Sequence, residues 1–336
     1  MKYRTLGRTT TQVSEIGFGT GPTAGLMVFG TPAEQTAAVK RAWDVGITYF
    51  DTAPIYGEYA SEENLGRALQ QAGLRPNIAT KVALELPDLD DIPGAVRRSV
   101  ESSLRRLRVD AVTLVQVHNR VGSARAAKGD LGVGALLTVE DVLGPVLDTL
   151  QRLRQEGKTQ AIGCCAWGGE VSAVNQLLDS RAFDTVLVGY SILNPTSGRT
   201  PPPGFVGRDF GNVIDRAAEH GTTAVVLKVL ESGALSGAPA PHPTSVLARR
   251  PGDEFGRNAE RARSLRFLQR DGQTMVQAAI RFALMNPSVG VVLVGISAMD
   301  QIEEAAGAST GATLTPDDLA RIEELYRSDF GLSALA

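Results

Sequence analysis

The chain of 336 residues is 43% hydrophobic and 21% charged, so it has ample apolar material for the core of one large domain. Its 34 Lys and Arg residues nearly balance its 37 Asp and Glu residues, and the net charge of -3 argues against nucleic acid or an anionic membrane as the main partner. It has neither a cationic-then-apolar start nor an apolar run of about 18 residues, which predicts a cytoplasmic protein.

The first residues predict a small β-hairpin that covers one end of the fold. Two short β-prone segments, residues 2–5 and 11–13, flank a turn that contains Gly7. After the hairpin, apolar strands and amphipathic helices alternate along the chain. Residues whose side chains can cap a helix stand at the predicted helix starts: Thr31, Ser61, Asp91, Thr138, Ser297 and Thr315.

Eight predicted strands alternate with these helices. They end at Thr20, Asp51, Lys81, Val117, Cys165, Tyr190, Val229 and Val294. Eight such units predict a closed (β/α)8 TIM barrel formed by residues 1–336 as a single domain. The alternative is an open doubly wound sheet, but the Gly-x-Gly-x-x-Gly fingerprint of that fold, with an acid about 20 residues later, is absent from the sequence. Long polar loops at residues 122–134, 194–209 and 236–253 interrupt the pattern.

The two cysteines, Cys164 and Cys165, are adjacent within a predicted strand. Successive residues of a strand point to opposite faces, so we expect neither a disulfide nor a metal site at this pair. The sequence also has no metal-ligand cluster, P-loop or Ser-His-Asp signature. We therefore predict no resident metal.

Ionisable side chains stand at the ends of three consecutive predicted strands. Asp51 ends the second strand and Tyr56 follows shortly after it, Lys81 ends the third, and His118 follows the fourth. In a closed barrel these strand ends meet on one face, which is the face that carries the active site. Each residue taken alone has an ordinary explanation as a helix cap, a surface charge or a core side chain. Four together at adjacent strand ends favour a site.

This set suits proton transfer to or from a carbonyl oxygen. The pKa of a Tyr hydroxyl is ordinarily about 10, and a nearby ammonium lowers it, so we expect Lys81 to lower the pKa of Tyr56. Asp51 would hold Lys81 in place and keep it charged, and His118 would donate a hydrogen bond to a substrate oxygen. The set supplies no electrons, and hydride transfer with a cofactor is the most economical complement.

Three segments around these residues resemble the signature regions of the aldo-keto reductases, and the resemblance covers nearly the whole chain. The segments are Tyr-Phe-Asp-Thr-Ala-Pro-Ile-Tyr-Gly at 49–57, Ile-Ala-Thr-Lys at 78–81 and Val-Gln-Val-His-Asn at 115–119. The resemblance implies a barrel opened by a hairpin, and a small carbonyl, alcohol or sugar substrate. It implies NADP(H) as the cofactor, with NAD(H) as the alternative, lying over the C-terminal face. The implied catalytic tetrad is Asp51, Tyr56, Lys81 and His118, with the tyrosine as general acid in reduction and general base in oxidation.

The resemblance also implies the residues that contact the cofactor. They are Gly19, Thr20, Asp51, Cys165, Tyr190, Lys228, Leu230, Gly295, Ser297, Gln301 and Glu304. Three positions around the nicotinamide depart from the family pattern. Where the family commonly has Gly-x-Ser-Asn, this chain has Gly-Cys-Cys-Ala at 163–166. Leu187 replaces a Gln that is usual in the family, and Leu227 replaces an aromatic residue that stacks on the nicotinamide.

Residues 294–304 resemble the segment that binds phosphate and adenine in the family. A glycine turn that leads into a helix N-terminus favours a phosphate. Many members have Arg at the position of Gln301, and a guanidinium pairs bidentately with phosphate whereas an amide does not. We therefore expect only a weak preference for NADPH over NADH. Ser297 is compatible with a bond to a 2′-phosphate and with a plain capping box together with Asp300.

The sequence leaves two functions open and predicts no oligomeric state. The first is an NAD(P)(H)-dependent oxidoreductase, which the intact tetrad favours. The second is a catalytically weak barrel that senses a dinucleotide, which the altered nicotinamide contacts favour. Apolar and aromatic loop side chains are the predicted pocket walls: Met27, Phe29, Tyr59, Trp167, Phe205 and Phe210.

Overall fold

A computed structural model describes residues 1–128, 133–240, 254–270 and 272–334. Within these ranges a barrel of strands is surrounded by helices, with a hairpin at one end. Parts of two predicted loops, residues 129–132 and 241–253, lie outside the described residues. None of the helices in the described ranges is long and apolar enough to cross a membrane.

The strands of the barrel are short and apolar, and their C-terminal ends lie within two residues of the predicted ones, whereas the short strands at Val121–Gly122 and Leu137–Thr138 were not predicted. In chain order the described strands are β1 (Tyr3–Thr5), β2 (Gln12–Ser14), β3 (Ile16–Gly19), β4 (Tyr49–Asp51), β5 (Asn77–Val82), β6 (Val112–Val117), β7 (Val121–Gly122), β8 (Leu137–Thr138), β9 (Thr159–Cys165), β10 (Thr185–Gly189), β11 (Thr223–Leu227) and β12 (Val289–Gly295). The antiparallel pair β1–β2 is the predicted hairpin.

Helices follow the barrel strands. They are α1 (Leu26–Phe29), α2 (Pro32–Asp44), α3 (Ala60–Ala72), α4 (Ile92–Leu107), α5 (Val139–Asp141), α6 (Leu147–Gln155), α7 (Val171–Asp179), α8 (Val213–Glu219), α9 (Glu254–Ser264), α10 (Met275–Leu284), α11 (Asp300–Gly307) and α12 (Pro316–Arg327). A π-helical segment, Val142–Val146, joins α5 to α6. Short 3-10 turns occur at Leu86–Asp90, Glu231–Ser236, Arg266–Leu268 and Asp329–Ala334.

Eight parallel strands of the described chain close into a barrel in the order β3, β4, β5, β6, β9, β10, β11 and β12. Closure comes from β12, which pairs with β3, so the last strand of the chain lies beside the first. This is the predicted (β/α)8 barrel. All eight strands are parallel, and their C-terminal ends therefore form a single face.

Capping boxes fix several predicted helix starts. Those at Thr31, Thr138 and Thr315 are present, each with a hydroxyl that accepts from the third helical N–H. The predicted cap at Ser61 is wrong. Helix α3 starts at Ala60 behind Tyr59, and the hydroxyl of Ser61 turns inward to other backbone and hydroxyl groups. The capping box of Ser297 and Asp300 is also wrong, because the residue that precedes α11 is Met299, which has no side-chain cap.

Apolar side chains fill the barrel from its N-terminal end. Leu6 and Val13 of the hairpin are fully buried in the same cluster as the inward residues of the strands. These inward residues include Tyr49, Ala79, Leu114, Ala161, Cys165, Leu187, Val225 and Val291. The hairpin therefore closes the end of the barrel opposite the expected active site. Cys164 packs in the outer core, the cluster between the strands and the helices, and Cys165 packs in the inner core, the cluster inside the barrel. The adjacent thiols therefore point to opposite faces, as predicted.

Candidate active site

A buried ion pair lies at the C-terminal ends of β4 and β5. Lys81 is 1% exposed and Asp51 2% exposed, and the Lys81 Nζ donates to Asp51 Oδ1 at 2.5 Å. The same ammonium donates to the carbonyl oxygen of Thr52 at 2.7 Å. Burial acts to lower the pKa of Lys81, but Asp51 and Tyr56 outweigh it, and the pKa is raised. The predicted contact between Asp51 and Lys81 is confirmed.

Tyr56 lies on the turn after β4, beside this ion pair. The Lys81 Nζ is 5.0 Å from the centroid of its ring. Gly57 holds the turn with φ of 61°, and a side chain there would meet Val28. The predicted fall in the pKa of Tyr56 is wrong as a net effect. Burial raises this pKa above its ordinary value, and Lys81 opposes the rise without cancelling it.

His118 completes the cluster from the end of β6. Its ring meets the ring of Tyr56 edge-on, with centroids 6.0 Å apart and planes at 83°. Burial, assisted by the charge of Lys81, holds the pKa of His118 well below its ordinary value. The imidazole is therefore neutral at physiological pH, and its buried Nδ1 has no hydrogen-bond partner among the described residues. A neutral imidazole keeps one N–H donor for an incoming oxygen.

Two polar residues that support this cluster were missed from the sequence. Gln116 is fully buried one layer below His118, and its Nε2 donates to Asp51 Oδ2 at 3.3 Å. Its signal was a lone amide within the apolar strand Val112–Val117. Ser61 is the second residue; its side chain contacts the ends of β3 and β4. No local pattern distinguishes it from a helix cap.

Bare backbone lies beside the tetrad on the same face of the barrel. Gly19 and Gly295 are paired neighbours at the ends of β3 and β12. A Cβ at Gly295 would lie 2.9 Å from that of Ala24, and one at Gly19 would lie 3.2 Å from the Val294 carbonyl oxygen. At both positions the space of a side chain is taken by the protein's own atoms, so the glycines let these strand ends pack closely. The feature of this face that fits an added ligand is the buried Nδ1 of His118, which has no hydrogen-bond partner among the described residues.

The other residues expected near the nicotinamide take different positions. Thr20 is buried, and its hydroxyl donates to the Asp51 carbonyl oxygen at 2.9 Å. Cys165 lies in the inner core, where burial raises the pKa of its thiol to about 11. Tyr190 faces outward from the barrel and stacks on Phe282 of α10, with ring centroids 5.6 Å apart. Leu230 packs against the outer core.

An indole stands at the mouth of the barrel, above the inner core. Trp167 packs against the inner-core cluster that contains Leu187 and Leu227, and its ring lies over Gly189, where a Cβ would be 2.2 Å from Cζ3. The Lys228 Nζ lies 5.2 Å from the centroid of the indole. Lys228 was predicted to contact the cofactor, and Leu227 stands where the family has a stacking aromatic. Both thus lie close to Trp167, a predicted pocket wall.

The remaining predicted pocket walls divide into two groups. Phe210 is a neighbour of the Trp167 indole, and Phe29 and Tyr59 are largely exposed. Met27 is buried in the outer core, and Phe205 packs against Tyr326.

The loop after β12 holds the last predicted cofactor residues. The backbone N–H and the hydroxyl of Ser297 both donate to Gln301 Oε1, at 2.9 and 3.1 Å. Glu304 lies on α11, and its carbonyl oxygen accepts from Gln277. The first turn of α11 carries Asp300 and Glu303, of which Glu303 pairs with Arg41 at 2.8 Å. This loop presents an amide and acids, with no cation of its own between Gly295 and Gly307.

Comparison with known proteins shows the family and the fold of the chain. The family model described as Aldo/keto reductase family matches residues 15–327. L-galactose dehydrogenase of Arabidopsis thaliana is 29% identical over 317 residues, which are 92% of this chain and 88% of the relative. Pyridoxal 4-dehydrogenase of Microbacterium luteolum is 25% identical, over 90% of this chain and 91% of the relative. The glycerol dehydrogenase of Gluconobacter oxydans has the same fold, with a TM-score of 0.73 at 21% identity, over 98% of this chain and 95% of that one.

Proposed function

The chain belongs to the aldo/keto reductase family and is an oxidoreductase of aldehydes, sugars or alcohols, and we propose that it exchanges hydride with NAD(P)(H) while Tyr56 moves the proton. The observation that carries the proposal is the placement of a Tyr hydroxyl beside a buried Lys81–Asp51 pair and a neutral imidazole.

The nicotinamide, when bound, supplies the hydride in reduction and accepts it in oxidation. In reduction, Tyr56 gives its hydroxyl proton to the carbonyl oxygen, and Lys81 stabilises the phenolate that remains. In oxidation, the phenolate takes the proton of the alcohol. His118 donates one N–H to the reacting oxygen, and Asp51 keeps Lys81 charged and directed at Tyr56.

Sugars and other hemiacetals are the substrate class that the relatives favour. One relative is an L-galactose dehydrogenase and another a pyridoxal 4-dehydrogenase. An aldose in water is mostly a cyclic hemiacetal, whose anomeric carbon bears a hydroxyl that Tyr56 can deprotonate. We therefore place oxidation of such a hydroxyl first, and reduction of simple aldehydes and ketones second.

The cofactor is NADP(H) or NAD(H), with weak discrimination between them. The family resemblance favours NADP(H), and Ser297 offers a hydroxyl to a 2′-phosphate. The amide of Gln301 and the nearby Asp300 and Glu303 oppose a tight grip on that phosphate. Titration of the protein with NADPH and with NADH by fluorescence measures the two affinities, and the tighter cofactor then enters a panel of aldoses, aldehydes and alcohols.

The variant Tyr56→Phe tests the role of the hydroxyl. We expect turnover to fall by at least 100-fold, the lower end of the range for losing a positioned acid or base, while cofactor affinity stays unchanged. Tyr3→Phe is the matched control, because the Tyr3 hydroxyl donates to Gly46 at the opposite end of the barrel. Turnover by Tyr56→Phe close to that of Tyr3→Phe would show that the proton moves elsewhere.

A further inference from the structure

One fully buried hydroxyl connects the backbone that carries the tetrad. Ser61, in the first turn of α3, is 0% exposed. Its Oγ lies 2.6 Å from Thr20 Oγ1 and 2.9 Å from Thr52 Oγ1, and the Thr20 carbonyl oxygen is also close to it, at 3.1 Å. Its backbone N–H donates to the Tyr56 carbonyl oxygen at 3.2 Å. A single residue thus contacts the ends of β3 and β4 and the turn of Tyr56.

The hydroxyls form a chain with one consistent direction. The Thr20 hydroxyl donates to the Asp51 carbonyl oxygen at 2.9 Å, so its proton is already committed. Each hydroxyl has one proton, so Ser61 then donates to Thr20, and Thr52 donates to Ser61. Every donor in this buried chain has a partner, which makes the arrangement rigid.

These linked hydroxyls act on the Lys81–Asp51 ion pair through Thr52. The Thr52 carbonyl oxygen accepts from the Lys81 Nζ at 2.7 Å, and Asp51 is the preceding residue. Rotation of the backbone at Thr52 would therefore move both acceptors of Lys81 at once. Lys81 is the cation beside the ring of Tyr56.

The next residue of α3 holds the strand of Lys81. Glu62 is also 0% exposed; its Oε1 accepts from the Thr80 hydroxyl at 2.5 Å and its Oε2 accepts from Arg106 at 2.6 Å. Two successive side chains of one helical turn thus bind the ends of β3 and β4 and the end of β5.

We propose that Ser61 is a positioning residue of the tetrad, which fixes Asp51, Tyr56 and Lys81 relative to one another through Thr52 and Thr20. The inference rests on the proposed function, since it assumes that these three residues carry the chemistry. Ser61 does not itself contact the substrate.

The test compares Ser61→Ala with Ser14→Ala. Ser14 is an equally buried hydroxyl that bonds the Ile16 carbonyl oxygen at 2.7 Å and the Thr48 N–H at 2.9 Å, at the N-terminal ends of the same strands. We expect kcat of Ser61→Ala to fall about 10- to 100-fold below that of Ser14→Ala, because small misplacements of catalytic groups have effects of this size. The KM for the cofactor should change little.

A pH profile separates positioning from loss of stability. With Lys81 less firmly directed at Tyr56, the rise of the oxidation rate with pH should shift to higher pH in Ser61→Ala and not in Ser14→Ala. Ser61→Thr retains the hydroxyl and should restore part of the rate. If Ser61→Ala does not fold, Thr52→Val removes the donor to Ser61 at constant shape and enters the same comparison.

Equal kcat and equal pH profiles for the Ser61 and Ser14 variants would overturn this inference. That outcome leaves the proposed function standing if Tyr56→Phe is inactive in the same assay. Full activity of Tyr56→Phe would instead remove the proposed function, whatever the Ser61 variant shows.

Discussion

At the scale of single residues, burial decides the protonation of Tyr56 and His118, the two groups that we propose to act on the substrate. Burial raises the pKa of Tyr56 and lowers that of His118. Below its raised pKa the Tyr hydroxyl is protonated and ready to act as an acid. Reduction should therefore proceed at a constant kcat/KM from neutral pH to about pH 10, the ordinary pKa of a Tyr hydroxyl.

Oxidation needs the phenolate of Tyr56, and its kcat/KM should rise about tenfold per pH unit over the same range. Neither profile should contain a step near pH 6.5 from His118, whose ring stays neutral. Initial rates in both directions in a constant-ionic-strength buffer series measure these profiles. A reduction rate that falls away near neutral pH would contradict the raised pKa of Tyr56.

The proposed weak choice between NADPH and NADH is also tested at a single residue, Gln301. Gln301 turns its side-chain oxygen toward Ser297 and presents no positive charge. Gln301→Arg should raise the ratio of NADPH to NADH affinity by about 10- to 150-fold, since a charge-assisted hydrogen bond contributes about 1.5–3 kcal/mol. Gln301→Met, which has neither charge nor amide, is the control, and both ratios come from fluorescence titrations. An unchanged ratio in Gln301→Arg would place the 2′-phosphate away from this loop.

Residues of the candidate site differ in how far the sequence predicts them. Asp51, Lys81 and His118 follow from their places at the ends of consecutive strands, because a barrel brings such ends together. The net pKa of Tyr56 does not follow, since it depends on how much water the folded chain excludes. The role of Ser61 does not follow either, because its partners come from strand ends that are distant in sequence.

At the scale of secondary-structure elements, a residue that caps a helix contributes more to the free energy of unfolding than one that only resembles a cap in the sequence. The Thr315 hydroxyl accepts from the Asp318 N–H at 3.1 Å in a complete capping box, whereas Ser297 stands outside α11. Thr315→Ala should therefore lower the free energy of unfolding by about 1 kcal/mol. Ser297→Ala should leave it nearly unchanged, because it removes one exposed bond to Gln301. Urea unfolding measures both, and equal losses would mean that Ser297 stabilises the helix after all.

At the scale of the whole molecule, the alternation of eight strands with helices predicts the barrel but not how it is sealed. Pairing of β12 with β3 joins residues almost three hundred positions apart, and no local pattern encodes it. Among the described residues, the interior is filled by side chains from β4, β5, β6, β9, β10, β11 and β12 together with the hairpin, and β3 contributes none. The position of the hairpin across the N-terminal end depends on tertiary packing. The fold was thus predictable from its repeat, and the packing inside it was not.

The hairpin should stabilise the barrel without taking part in the chemistry. Leu6 is 0% exposed and packs in the inner core at the N-terminal end, whereas the tetrad lies at the other end. Leu6→Ala should therefore lower the free energy of unfolding by about 2–5 kcal/mol, through lost burial and the cavity that remains. The half-exposed Tyr3 of the same hairpin provides a control, because Tyr3→Ala removes little buried surface. Unfolding in urea gives the loss of stability, and kcat/KM at a temperature where both variants are folded should match the parent. A fall of kcat/KM in folded Leu6→Ala would mean that the inner core transmits strain from one end of the barrel to the other.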